Sequence, residues 1–260
     1  MAKTGRVAIV TGAAQGIGKR TAELLAERGY DLALSDLRPP SDTLSAVTAL
    51  GAEAIELLGD ISDETTVSRF TAAVRDRWGR ADVLVNNAGI SMIAPAESLS
   101  AADYRRVLEV NLVAPFLLAK AFSAMMLSQR FGSIINVSSI AGLVGVADRA
   151  AYNASKHGLI GLTRTLAAEW GGRGVRVNAI CPGWVKTEMD IADQTGGSYT
   201  DADITSRVPM ARFATPDDIA KAVAFLADPQ ESAFVNGHAL AVDGGWTADG
   251  SWESLRLRHR

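Results

Sequence analysis

Six times along the chain a short apolar run, rich in β-branched residues, is followed by a longer segment, and this alternation constrains the fold more than any other feature. The runs are Arg6–Thr11, Asp31–Ser35, Ala54–Leu58, Val83–Asn86, Ser133–Ser138 and Val175–Cys181, with a seventh at Ala239–Val242. Most are apolar throughout instead of alternating, the pattern of strands covered on both faces. The spacing between them predicts helices over Ile17–Arg28, Ser41–Leu50, Glu64–Trp78, Ala101–Gln129, Ala151–Trp170 and Pro216–Ala227. Several carry start signals: Ser62 or Asp63 before Glu64, Ser100 before Ala101, and Thr215-Pro216-Asp217-Asp218. Strand and helix in strict alternation imply an α/β fold with a doubly wound, parallel sheet between two helical layers. Residues 187–215 break the rhythm. They are long, polar and contain Gly196-Gly197, as expected of a substrate-binding loop. Nothing resembles a linker, so one domain over residues 1–260 is expected.

Composition narrows the functional classes. Cys181 is the single cysteine, which excludes a disulfide scaffold and points to a reducing, cytoplasmic setting. A formal charge of -3 gives no basic field for nucleic acid. The N-terminus has no secretory pattern, and the longest uncharged run, 131–147, is too short and polar to span a bilayer. The three histidines, His157, His238 and His259, have no ligand spacing, so no metal is expected. No Gly-x-Ser-x-Gly elbow marks a serine hydrolase.

The first strand runs into Thr11-Gly12-Ala13-Ala14-Gln15-Gly16-Ile17-Gly18, where a helix begins. Gly12 permits a tight turn, Gly16 lets a pyrophosphate approach the backbone, and Gly18 lets the helix pack closely on the sheet. Gln15 and Ile17 complete this cradle. The Gly-x3-Gly-x-Gly spacing resembles that of the short-chain dehydrogenase/reductase family. This resemblance implies a three-layer Rossmann fold with a seven-stranded parallel sheet and an NAD(P)-dependent oxidoreductase. Further motifs extend it from Val7 to Gly245.

Asp36 ends the second strand, where a carboxylate accepts the adenosine ribose hydroxyls and repels a 2′-phosphate, so NAD is expected over NADP. Arg38 argues the other way, since it is close enough in sequence to meet a phosphate. By resemblance, Asp60 and the following Ile61 contact adenine. Asn86-Asn87-Ala88-Gly89 matches the family motif that lines the cofactor, through Asn87, Ala88 and Gly89. By the same resemblance Pro182, Gly183, Val185 and Thr187 contact the nicotinamide and its carboxamide.

Tyr152 and Lys156 lie four apart at the start of a helix and so share a face. A free tyrosine titrates near 10 and is a poor base at neutral pH, but a neighbouring ammonium favours the phenolate. Tyr152 would then take the proton from an alcohol or return one to a carbonyl, with Lys156 also on the nicotinamide ribose. Ser139, 13 residues before Tyr152, matches the family's catalytic serine; Ser138 is expected to be structural or cofactor-facing. Asn111 matches the fourth family position, which links the lysine to a water relay, although a polar residue that kinks a helix is an equal reading of Asn111 alone.

The substrate pocket is expected to include Ser139, Asp148, Arg149, Tyr152 and Trp184, with apolar surface from Met189, Ile191 and Tyr199. The charges on Asp148 and Arg149 suit a sugar, polyol or other small hydroxylated substrate, although two charges standing on the rim in solvent are an equal reading. The alternative is a 3-oxoacyl-thioester (acyl-carrier-protein) reductase; a different class would be a non-catalytic nucleotide sensor. By resemblance the assembly is a homotetramer, with no nucleic acid or membrane partner.

Overall fold

The computed structural model describes residues 5–187, 191, 199–252 and 255. Seven strands, β1 (Val7–Thr11), β2 (Asp31–Asp36), β3 (Ala54–Leu58), β4 (Val83–Asn86), β5 (Gly132–Val137), β6 (Val175–Pro182) and β7 (Ala239–Val242), form one sheet. Every pairing is parallel, in the order β3-β2-β1-β4-β5-β6-β7. The order reverses between β1 and β4, so successive crossovers leave the sheet in opposite directions and cover both faces.

Strand side chains alternate between those faces. Val7 and Ile9 pack with Phe70 and Val74 of α3 (Glu64–Trp78), Leu118, Phe122 and Met126 of α5 (Ala114–Gln129) and Leu166 of α6 (Ala150–Trp170). Ala8 and Val10 meet the opposite layer: Ala22 and Leu25 of α1 (Gly16–Glu27), Val47 of α2 (Ser41–Ala49), and Ile219, Val223 and Leu226 of α8 (Pro216–Ala227). The sequence placed these elements to within about one residue at most ends. Between the two candidate caps before α3, Asp63 takes the position and accepts the Thr65 and Thr66 amides. Thr215 and Asp218 form a reciprocal capping box at the start of α8.

Two segments differ from expectation. The region 101–129 is not one regular α-helix: α4 (Ala101–Leu108) passes through a π-helical turn, Glu109–Val113, into α5. Pro115 has no N–H to give the Asn111 carbonyl four residues earlier, so the regular ladder cannot continue there. Instead Ala114 donates to the Glu109 carbonyl, five residues back. By length and composition this run is also apolar enough to cross a bilayer. Its Val107, Leu118, Phe122 and Met126 are buried in the protein's own layers, as in a core helix. Within 187–215 a short helix α7 (Asp201–Arg207) stands where loop was expected, opened by a Thr200–Asp203 capping box. Met189 and Gly196-Gly197 lie outside the described residues. A last short helix, α9 (Pro229–Ser232), leads to β7.

A buried polar chain ties the centre of the sheet to α6. Asn86 donates to Asn136 at 2.8 Å, Asn136 to the Thr163 hydroxyl at 2.9 Å, and Thr163 to the Leu159 carbonyl at 2.8 Å. It fixes the height of α6, and with it Tyr152 and Lys156. Phe122→Ala, deep in the α5 layer, is expected to cost about 3–5 kcal/mol of unfolding free energy in a urea titration. Phe234→Ala, at a fully exposed side chain, should stay within about 0.5 kcal/mol.

Candidate active site

The C-terminal ends of β1 to β6 converge on a cavity of about 350 Å³, the place where open parallel sheets bind ligands. At one end lies the glycine loop. Gly12 has φ +66°, and a Cβ there would sit 2.9 Å from Asn87 Nδ2; a Cβ on Gly18 would run into the Gly12 carbonyl. Gly12, Gln15, Gly16 and Ile17 line the cavity. Gly18 does not; it serves the close packing of helix on strand. These crowded glycines leave a backbone cradle ahead of the α1 N-terminus, a shape that fits a pyrophosphate.

The Asp36 carboxylate stands at the lip, held by the Ala14 amide at 2.9 Å and the Arg38 amide at 3.2 Å. The Arg38 guanidinium bonds the Gln15 side-chain carbonyl across the mouth. Further along, Asp60 accepts the Ser62 amide and hydroxyl at 2.9 and 2.7 Å and an Arg106 N–H at 2.7 Å. Burial works against this carboxylate, but the Ser62 and Arg106 contacts outweigh it and hold Asp60 below its ordinary range. Ile61 lines the same wall.

At the junction of β1 and β4 the Thr11 hydroxyl accepts both the Asn87 and Ala88 amides at 3.0 Å, while Asn87 Nδ2 donates to the Thr11 and Gly12 carbonyls. Gly89 follows on the cavity wall. The Asn111 side chain is buried and clamped to Ile90, accepting its N–H and donating to its carbonyl, both at 2.9 Å; it also donates to the Ser155 hydroxyl at 3.2 Å. It does not itself line the cavity. A Cβ on Gly89 would lie 3.2 Å from Asn111 Oδ1 and 3.6 Å from Lys156 Nζ, so the three groups are packed together.

The other end holds Ser139, Tyr152 and Lys156. Lys156 Nζ donates to the Val137 carbonyl at 2.8 Å and sits 5.5 Å from the centre of the Tyr152 ring. Burial pushes its ammonium from 10.5 down to about 8. Ser138 is a structural tie, its hydroxyl donating to the Lys156 carbonyl at 3.0 Å. Ser139 caps a 3-10 turn, Ile140–Gly142, by accepting the Ala141 amide at 3.1 Å. Pro182, Gly183, Trp184, Val185 and Thr187 close the roof. Cys181 lies beneath them, its thiol pushed up to about 11 by burial and so poorly nucleophilic.

A family model described as enoyl-(acyl carrier protein) reductase matches residues 12–247. The chain belongs to the short-chain dehydrogenase/reductase family. D-threitol dehydrogenase of Mycolicibacterium smegmatis is 42% identical over 247 residues, covering 94% of this chain and 93% of that protein. An uncharacterized short-chain type dehydrogenase/reductase, y4vI, of Sinorhizobium fredii is 42% identical over 244 residues; they span 93% of this chain and 44% of that longer protein. The crystal structure of a proposed NAD(P)-dependent gluconate 5-dehydrogenase from Beutenbergia cavernae, with NADP at low occupancy, superposes with a TM-score of 0.89 at 39% identity. That match covers 94% of this chain and 98% of the other. This short-chain dehydrogenase/reductase is therefore an NAD(P)-dependent oxidoreductase acting on CH–OH groups.

The expected pair Asp148 and Arg149 is split. Arg149 lines the cavity, whereas Asp148 is exposed and is not among the lining residues. Asp148 is left-handed, with φ +59°, and its carbonyl accepts the Ala94 amide at 2.9 Å. Arg106 was not foreseen, because nothing in a charged helical segment marks which charge will face a strand end 46 residues away. Trp246, in the tail, stacks under Arg207 at 4.7 Å and thus packs on this chain's own α7.

Below pH 8 Lys156 is charged in both the folded and the unfolded chain. Between about 8 and 10.5 the unfolded chain binds its proton more tightly, so the burial penalty is relieved as pH rises. Without bound cofactor, the enzyme should gain unfolding free energy relative to Lys156→Met between pH 7 and pH 10. Parallel curves for the two proteins would refute that assignment.

Proposed function

We propose that the enzyme interconverts a secondary alcohol and its ketone on a small polyhydroxylated substrate, using NAD(H). The carrying observation is the single cavity that has the glycine cradle and Asp36 at one end and Ser139, Tyr152 and Lys156 at the other. In this reading Asp36 takes the adenosine ribose, Asp60 and Ile61 the adenine, and Gly12, Gln15, Gly16 and Ile17 the pyrophosphate. Asn87, Ala88, Gly89, Pro182, Gly183, Val185 and Thr187 line the path to the nicotinamide, with Gly18 behind the loop. When bound, the nicotinamide supplies the hydride acceptor or donor.

Tyr152 is the proton-transfer group, taking the alcohol proton on its phenolic oxygen in oxidation and giving it back in reduction. Lys156, held against Val137 beside the Tyr152 ring, favours the phenolate by its charge. Ser139 presents its hydroxyl to the same substrate oxygen. Asn111 acts through position: clamped to Ile90 beside Gly89, it supports the Lys156 pocket, and Pro115 leaves its carbonyl without the usual helical donor, suited to a water that serves Lys156. Trp184 and Arg149 shape the substrate side.

The polyhydroxylated class is supported by the threitol and gluconate dehydrogenases among similar proteins. The acyl-carrier description of the family model favours a second reading, reduction of a 3-oxoacyl thioester. A panel of alditols, aldonates and acetoacetyl-CoA, followed at 340 nm with each cofactor, separates the two. Tyr152→Phe should lower kcat about 10²–10⁴-fold with little change in cofactor affinity. If the mutant turns over at the wild-type rate, Tyr152 is not the proton-transfer group.

The NAD preference rests on Asp36, whose charge at the lip opposes a 2′-phosphate; Arg38 would have to leave Gln15 to meet one. NAD should exceed NADP in kcat/KM by about tenfold or more, and Asp36→Ser should shrink that ratio. Equal rates with both cofactors would overturn the preference.

A further inference from the structure

We infer that Arg106 is a positioning residue for the cofactor's base: together with Ser62 it locks the Asp60 carboxylate in place, and this lock makes the enzyme selective for adenine over a base with an oxo group at the same position. The inference rests on the assignment of Asp60 to the adenine under the proposed function and adds the residue that sets the selectivity.

Asp60, Ser62 and Arg106 form a closed ring. Asp60 Oδ1 accepts the Ser62 amide at 2.9 Å and the Ser62 hydroxyl at 2.7 Å. That hydroxyl accepts one Arg106 N–H at 2.8 Å, and a second Arg106 N–H reaches Asp60 Oδ2 at 2.7 Å. With Arg106 donating to its oxygen, the Ser62 hydroxyl turns its one proton to Asp60. A carboxylate oxygen takes two donors, so Ser62 fills Oδ1. Among the described residues Oδ2 has Arg106 as its donor and keeps room for one more. The backbone beneath is held as well. Gly59 has φ +148°, a Cβ there would lie 2.7 Å from Thr66 Cγ2, and the Asp60 carbonyl accepts the Asp63 amide at 3.1 Å.

Both Asp60 and Arg106 line the cavity, with Ile61 and Val110 as apolar walls beside them. Their side chains are 37% and 46% exposed, and an ion pair so open to water adds little stability. What a planar guanidinium adds is geometry, because its fork spans the hydroxyl and the carboxylate at once. That geometry bears on the base. Adenine presents an amino donor where hypoxanthine presents an oxo acceptor, and hypoxanthine carries an N–H at the neighbouring ring nitrogen. A locked carboxylate accepts the amino group and repels the oxo group. A carboxylate able to swing would reach the ring N–H and lose the distinction.

Calorimetry without substrate compares NAD with nicotinamide hypoxanthine dinucleotide, which differs from it in the base alone. The wild-type enzyme should bind NAD about 30-fold more tightly. Arg106→Met should reduce that ratio to about fivefold or less, and Arg106→Lys should hold an intermediate value. A merely structural role would weaken both dinucleotides alike, and an unchanged ratio would overturn the inference. Thermal unfolding should place the Arg106 variants within about 4 °C of wild type. Ser62→Ala opens the ring while keeping the ion pair, and it should lower the ratio in the same direction. Asp60→Asn tests the underlying assignment: with its oxygen on the Ser62 amide it sets an N–H where Oδ2 stood, and it should favour hypoxanthine. If wild type binds the two alike, or Asp60→Asn leaves the ratio unchanged, Asp60 does not meet the adenine and both readings fall. If Asp60→Asn moves the ratio and the Arg106 variants do not, the role of Arg106 alone is wrong. If neither dinucleotide binds, the dehydrogenase reading fails as well.

Discussion

Everything at the active site depends on how β1 and β4 part company at their C-terminal ends. They are neighbours in the sheet, but the crossovers that follow them leave by opposite faces, so a crevice has to open between their ends. Such an opening exposes backbone groups that water would otherwise satisfy. Thr11 and Asn87 close the account: one hydroxyl accepts two amides, and one side-chain amide serves two carbonyls. The glycines follow from the same crowding. Gly12 bears against Asn87 and Ala88, and Gly18 against Gly12, so a side chain at either would push the loop out of its cradle.

The second constraint is the burial of charge. Lys156 is nearly sealed, with the Val137 carbonyl as partner and the Tyr152 ring alongside. Keeping an ammonium there costs stability and lowers its affinity for a proton. The polar chain from Asn86 through Asn136 to Thr163 works toward the same end by fixing α6 against the sheet. At the opposite end Arg106 and Ser62 keep Asp60 ionised in a partly buried place. The carboxylates Asp36 and Asp60 lie at the glycine-loop end of the cavity, accompanied there by Arg38 and Arg106, while Lys156 lies at the tyrosine end.

Much of this was legible in the sequence, for definable reasons. Strands covered on both faces must be apolar throughout, and helices need caps, so the elements could be read locally. Motifs such as Gly12-x3-Gly16-x-Gly18 and Tyr152-x3-Lys156 bring their residues together within one turn or loop, where spacing alone sets the geometry. Asn111 marks the limit. Its residue type was visible, but the π-helical turn that carries it depends on a missing N–H at Pro115 acting within a long apolar run. The capped helix α7 was also legible in principle, through Thr200-x-x-Asp203, but it was masked by the polarity of the loop around it.

What required tertiary structure was the pairing of residues far apart in the chain. Arg106 reaches Asp60 across 46 residues and Arg149 reaches Ser91 across 58, and local pattern does not encode such distances. Asp148 is exposed and Arg149 buried, next to a left-handed φ that no glycine announces. The sequence by itself determined the parallel sheet, the dinucleotide cradle and the tyrosine–lysine pair, because periodicity and short spacing are properties of the local chain. Which charges line the cavity was decided only when the strand ends met around it, because packing, and not sequence distance, sets which side chains share it.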